Sequence, residues 1–268
     1  MTRSMREGFV STPDGARITY RARAGRDPWI LLHGLGCDAT MWDGVVHALP
    51  PEVGLVVLEL RGHGGSTLGW RSPSVDLWAD DVLRVAGAEG LTSPALAGLS
   101  MGGYTALAVA AKSPGFARAY ALIDTSASPD DDNGRLRRAN GLATLRTSGW
   151  RDYAMGLLPD LLLESREDFP RHRDHLLTMF DRAREAGLVA ALFALASRPD
   201  RRSLLPYLQA PCAVVVGEAD RLTPVERAEE AVNALPRARL FVLPGVAHMS
   251  AMEDPRGVAE AIREADTL

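Results

Sequence analysis

Six short runs rich in Val, Leu, Ile and Ala, at residues 29–32, 55–60, 95–99, 119–123, 213–217 and 239–243, alternate with longer helix-compatible stretches. Few architectures accept that order. Parallel strands need a crossover between them, usually a helix, and the sheet they build is covered on both faces. Helices are expected over 39–49, 75–89, 101–113, 224–235 and 255–265, and two opening strands over 8–11 and 17–23, joined by Pro13-Asp14-Gly15. The fold class that follows is α/β, an eight-stranded and mostly parallel sheet with helices on both faces.

One interval breaks the rhythm. About ninety residues separate the run ending at Ile123 from the one starting at Ala213, far more than a crossover helix needs. Residues 135–147, 151–163, 169–185 and 188–197 have helix-compatible composition, with breaks at Gly149, Pro170, Gly187 and Pro199. The expected organisation is a core of 1–124 and 212–268 with an inserted helical cap of about four helices at 125–211. Asp130-Asp131-Asp132-Asn133-Gly134, at the start of the insertion, reads as a solvated loop with an N-cap. The apolar cap residues Trp150, Met155, Leu158, Met179, Phe180 and Phe193 read mostly as helix packing.

Composition bounds the partners. In 268 residues, 30 basic and 34 acidic side chains give a net charge of −4, which offers no field for a phosphate backbone, so nucleic acid is not expected. The start, Met1-Thr-Arg-Ser-Met-Arg-Glu-Gly, has no apolar core of a signal segment, and no apolar run reaches membrane length. Cys37 and Cys212 make neither a disulfide framework nor a zinc site. The expectation is a cytoplasmic chain without membrane attachment, monomeric or homodimeric. His172 and His175, three apart, read as part of an exposed basic helix face rather than a metal site.

The chemistry is carried by Gly98-Leu99-Ser100-Met101-Gly102. This string is weak alone, but it follows the apolar run Ala95-Leu96-Ala97 and precedes the helix former Tyr104-Thr105-Ala106-Leu107-Ala108. A serine thrust out of a strand–helix turn leaves no room for Cβ atoms two residues before and after it, hence Gly98 and Gly102. Ser100 is the expected nucleophile. A serine hydroxyl needs a base and an orienting acid. His248 follows the last expected strand and Asp220 the preceding one, both at the edge where open α/β sheets carry their sites. Asp124, after the run ending at Ile123, is the reserve acid. His33-Gly34-Leu35-Gly36 follows another strand, so the N–H groups of Leu35 and Met101 are the expected oxyanion donors, with His33 and Gly34 supporting the loop.

Together with Arg61-Gly62-His63-Gly64-Gly65-Ser66, Gly217-Glu218-Ala219-Asp220 and Gly245-Val246-Ala247-His248, these segments make the chain resemble the α/β-hydrolases over nearly its whole length. It is similar in particular to small cap-bearing esterases and lactonases, such as 3-oxoadipate enol-lactonase-like proteins, and to carbon–carbon hydrolases of ring-cleavage pathways. Glu59 departs from the aspartate that relatives often carry in the D-x-R-G-x-G segment, at a turn where a longer carboxylate should leave the chemistry intact. The resemblance implies hydrolysis of a small-molecule acyl substrate, a carboxylic ester or lactone, with no metal or cofactor. Carbon–carbon cleavage, acyl transfer and a ligand-binding role without turnover use the same framework. Gly34-Leu35-Gly36-Cys37-Asp38-Ala39 formally fits a dinucleotide fingerprint, but that reading leaves Ser100, Asp220 and His248 unexplained. An acidic substrate would call for a cap arginine, and Arg135, Arg137, Arg138, Arg146 and Arg151 are all available.

Overall fold

A computed structural model describes residues 5–268, so Met1 to Ser4 of the N-terminal stretch lie outside the described residues. Eight strands form one sheet: β1 (Arg6–Ser11), β2 (Arg17–Arg23), β3 (Arg26–Leu32), β4 (Val53–Leu58), β5 (Ala95–Leu99), β6 (Tyr120–Ile123), β7 (Cys212–Gly217) and β8 (Ala238–Leu243). Their spatial order is β1-β2-β4-β3-β5-β6-β7-β8. β2 pairs antiparallel with both β1 and β4, and every pair from β4 to β8 is parallel. The loops after β3, β5, β6, β7 and β8 therefore leave one common edge of the sheet.

Alternate residues of the central strands enter separate cores. Leu31, Val57 and Ala97 pack on one face, whereas Ile30, Val56 and Leu96 pack on the other. Both sets are buried because helices α2 (Val75–Ala88), α3 (Met101–Lys112) and α6 (Val225–Ala234) cover one face, and α1 (Asp43–Ala48) and α8 (Pro255–Ala265) the other. This explains why the strands read as continuous apolar runs instead of alternating ones.

Between β6 and β7 lie α4 (Asp132–Leu161) and α5 (Phe169–Ala196). Asp131 caps α4 by accepting the Gly134 N–H at 2.6 Å. Each helix is interrupted once: α4 at Gly149 (φ 85°), as expected, and α5 at Arg184 rather than at Gly187. Gly187 stays helical and serves a close approach instead, since a Cβ there would sit 1.8 Å from the Gly62 carbonyl oxygen. Pro170 does not break α5, because it stands in the first turn where an N–H is not needed. Of the apolar residues read as helix packing, Met155 and Phe193 are instead exposed.

Three further boundaries differ from expectation. β4 ends at Leu58, because the Glu59 N–H turns to the Thr19 carbonyl and the Leu60 N–H to the ring of His33. The helix expected over 39–49 is divided into a 3-10 turn, Ala39–Trp42, and α1, with Asp38 capping the turn. A one-turn helix α7 (Ser250–Glu253) follows the last loop, in a stretch for which no helix is expected.

The loop after β4 is held by a buried ionic cluster. Arg61 gives Nη1 and Nη2 to Asp14 at 2.6 and 2.9 Å and Nη2 to Asp81 at 2.9 Å, and its Nε also bonds Asp81. All three side chains are almost fully buried. Removing the cation would leave two carboxylates unpaired in low dielectric. Arg61→Ala is expected to lower unfolding stability by about 3–5 kcal/mol, read from the midpoint of urea denaturation.

Candidate active site

Ser100 is the residue between β5 and α3, and its backbone stands at φ 51°, ψ −111°, a region side chains other than glycine rarely adopt. Its N–H is anchored to the Ile123 carbonyl at 2.9 Å, while its own carbonyl accepts from Gly103, Tyr104 and Thr125. The turn is this tight because neighbouring backbones nearly touch. A Cβ on Gly98 would lie 2.3 Å from the Gly102 carbonyl, and one on Gly102 2.1 Å from that of Leu32.

The structure brings Leu35 to the same place. Gly34 packs on the Ser100 turn, where an added Cβ would be 3.2 Å from Leu99 and 3.9 Å from the Cβ of Ser100. His33 pins this loop: its Nε2 accepts the Leu60 N–H at 2.9 Å, so the ring proton is on Nδ1, which donates to the Gly34 carbonyl at 2.8 Å. Burial pushes the imidazole down to about 4, which keeps it neutral. Its part is structural. Among the described residues the N–H groups of Leu35 and Met101 have no hydrogen-bond partner, so both are free to meet an anion.

His248 and Asp220 are buried together. His248 Nδ1 donates to Asp220 Oδ2 at 2.8 Å. Asp220 also accepts the N–H groups of Leu222 and Thr223 at 2.8 and 3.0 Å and the Thr223 hydroxyl at 2.7 Å. Burial by itself would raise the Asp220 carboxyl, but the His248 ring and these donors hold it below the ordinary value. Burial would likewise lower the His248 ring, and the Asp220 carboxylate outweighs it and holds the imidazole above 6.5. The Ser100 hydroxyl forms no hydrogen bond among the described residues, yet Ser100 and His248 line one cavity of about 260 Å³.

Asp124 sits elsewhere. It follows β6 with φ 45°, and its carboxyl accepts the Gly217 N–H at 3.0 Å through Oδ1 and the Ser250 N–H at 3.2 Å through Oδ2, which also bonds the Ser250 hydroxyl. It makes no hydrogen bond to the imidazole. Burial, and then the charge of Asp220, push it up to about 8. Its contacts join the end of β7, which leads to Asp220, to the segment just after His248. Glu253 and Leu161 secure the same segment by accepting the Ala247 N–H at 2.7 Å and the Met249 N–H at 3.0 Å.

Two features were not anticipated from the residues. Thr223 orders Asp220, and the D-x-x-T spacing before a helix-starting proline was the available signal. His175 is not on an open basic face: its Nε2 lies 2.9 Å from the Thr40 hydroxyl, joining α5 to the loop after β3. Glu59 behaves as expected of a turn carboxylate, accepting the Gly65 N–H at 2.8 Å and the Thr19 hydroxyl at 2.6 Å.

A model of the alpha/beta hydrolase family matches residues 29–261. The chain belongs to that family. It is 28% identical over 251 residues to a pimeloyl-[acyl-carrier protein] methyl ester esterase of Aromatoleum aromaticum, covering 89% of this chain and 98% of the relative. Among solved structures, a thermophilic esterase from Thermogutta terrifontis, described with malate bound, superposes with a TM-score of 0.88 at 31% identity and 97% coverage of both chains. An enol-lactonase from Burkholderia xenovorans shares the fold at a TM-score of 0.88 and 24% identity, over 97% of this chain and all of that one. Among the described residues no helix is long and apolar enough to cross a membrane.

The different surroundings of the two acids predict different losses. Asp220→Asn should lower kcat for ester hydrolysis by orders of magnitude, about 10⁴-fold, because it disturbs the ring tautomer and removes the charge that stabilises the imidazolium. Asp124→Asn, which keeps size and the His248–Asp220 bond but turns one of two accepting oxygens into a donor, should cost far less, about tenfold or less. Parallel steady-state kinetics on the two variants measure the difference.

Proposed function

We propose that this chain hydrolyses a small carboxylic ester or lactone through an acyl-enzyme on Ser100. The observation that carries the reading is the buried His248–Asp220 pair facing the same cavity as Ser100, with the uncommitted N–H groups of Leu35 and Met101 beside the serine. The relatives named as an esterase and a methyl ester esterase support ester bonds as the target.

His248 Nε2 takes the Ser100 proton as Oγ attacks the acyl carbon, and the carbonyl oxygen becomes an alkoxide held by the N–H groups of Leu35 and Met101. The start of α3 adds the positive end of its dipole at the same point. Collapse of the intermediate breaks the bond to the leaving alcohol, which receives the proton from His248. Water then repeats the sequence on the acyl-enzyme, releasing the acid and restoring the serine. Asp220 keeps Nδ1 protonated, so that Nε2 is the basic nitrogen.

In this reading residues 125–211 act as a cap over the core of 1–124 and 212–268. Tyr153, Leu157 and Leu161 from α4 line the same cavity as Ser100 and His248. The acyl portion of the substrate meets this wall.

Ser100→Ala is expected to reduce kcat/KM for p-nitrophenyl butyrate by at least about 10⁴-fold, and undiminished turnover would refute the nucleophile. The pH profile follows from the His248–Asp220 pair. The base must be neutral, so activity falls as pH drops through the imidazole pKa, which Asp220 holds above 6.5. The rising limb of kcat/KM should lie above that value and move to lower pH in Asp220→Asn, where the stabilising charge is absent.

A further inference from the structure

The cap arginines that composition leaves equivalent are sorted by the structure. Arg135 is engaged by Asp132 and the Asp130 carbonyl, Arg151 lies over the Trp150 ring, and Arg146 is not on the cavity wall. Arg137 and Arg138, on the first turns of α4, line the cavity that holds Ser100 and His248. Arg137 has no ion pair or hydrogen bond among the described residues.

Arg138 has its own support. Its Nε is bound to Asp130 Oδ2 at 3.1 Å, and Asp130 is bound on its other oxygen by Arg198 Nη1 at 2.6 Å. Arg198 stacks over the Tyr104 ring, 4.2 Å from its centroid. One buried carboxylate is therefore shared between two guanidinium groups, and burial, which would raise its pKa, is outweighed by the two cations. The cluster carries one net positive charge. Among the described residues both Nη groups of Arg138 lack partners, so its fork has donors to spare while its stem is fixed.

Asp131 gives one carboxylate oxygen to the N-cap of α4, and Asp160 is the third acid on the wall. Arg137 and Arg138 thus keep guanidinium donors free on the wall of this cavity.

We propose that the substrate of this site, on the ester-hydrolase reading above, carries a second acid group as a carboxylate, which Arg138 receives on its free Nη donors with Arg137 beside it. Arg138 and Arg137 are then specificity-determining residues, and Asp130 and Arg198 position the first of them. The ester carbonyl reaches Ser100 while the carboxylate is held at the start of α4.

The test compares kcat/KM for monomethyl glutarate and monomethyl adipate with their dimethyl esters, which places the acid on the acyl side. 4-Acetoxybutanoate against butyl acetate places it on the leaving group. The acid form should be preferred by about 10- to 100-fold in at least one series, less so in high salt. The ratio should collapse toward one in Arg138→Gln, fall in Arg137→Gln and rise in Asp160→Asn. Arg137→Gln keeps the test decisive if Arg138→Gln folds poorly, since Arg137 supports no other residue. Neutral esters turned over as well as acids in both series, or ratios unchanged in both arginine variants, would overturn the assignment while leaving ester hydrolysis standing. Absence of turnover with every ester would remove the hydrolase reading and this one with it.

Discussion

A Cβ at Gly102 would stand 2.1 Å from the Leu32 carbonyl oxygen and one at Gly98 2.3 Å from the Gly102 carbonyl, so the turn between β5 and α3 exists only with bare backbone at both places. From that close approach the rest follows. Ser100 is forced to positive φ, a conformation costing on the order of 1–3 kcal/mol that only the surrounding sheet and helix can hold. The same turn sets the first N–H of α3 beside the serine and lets the Gly34 loop pack against it. The proposed nucleophile and oxyanion donors thus share one origin, the close approach of the start of α3 to the backbones of β3 and β5.

Asp220 and His248, the proposed acid and base, are organised differently, by side chains that staple loops. Asp124 joins the end of β7 to the segment after His248, Thr223 holds Asp220, and Glu253 with the Leu161 carbonyl hold residues 247 and 249. Leu161 ends α4, so the inserted helices and the base share a hydrogen bond. A second connection runs from α5 to the loop carrying Leu35, through Arg182–Asp38 and His175–Thr40. Movement of the inserted helices would therefore be felt at both the His248 imidazole and the loop that carries Leu35.

Much of this was legible in the residues. The apolar runs at 95–99 and 213–217 coincide with strands apart from one residue, because a strand buried on both faces has no polar positions to confuse its limits. Strand ends that dissolve into side-chain contacts were not legible: β4 stops at Leu58 because a histidine ring 27 residues away claims the Leu60 N–H. Asp220 was the expected acid and Asp124 the reserve, each just beyond a strand. Only the third dimension shows that one faces the imidazole and the other faces backbone amides. In the same way five cap arginines were indistinguishable by composition, and ion pairing separates them.

The central claim is that Ser100 is a nucleophile activated by His248 and Asp220. Reaction with a fluorophosphonate, followed by mass spectrometry of the digested protein, tests it without knowledge of the substrate. A single phosphonyl adduct on the peptide containing Ser100 is expected, forming at least about 10²-fold more slowly in His248→Ala. No adduct, or one formed on another residue or at a rate indifferent to His248, would contradict it.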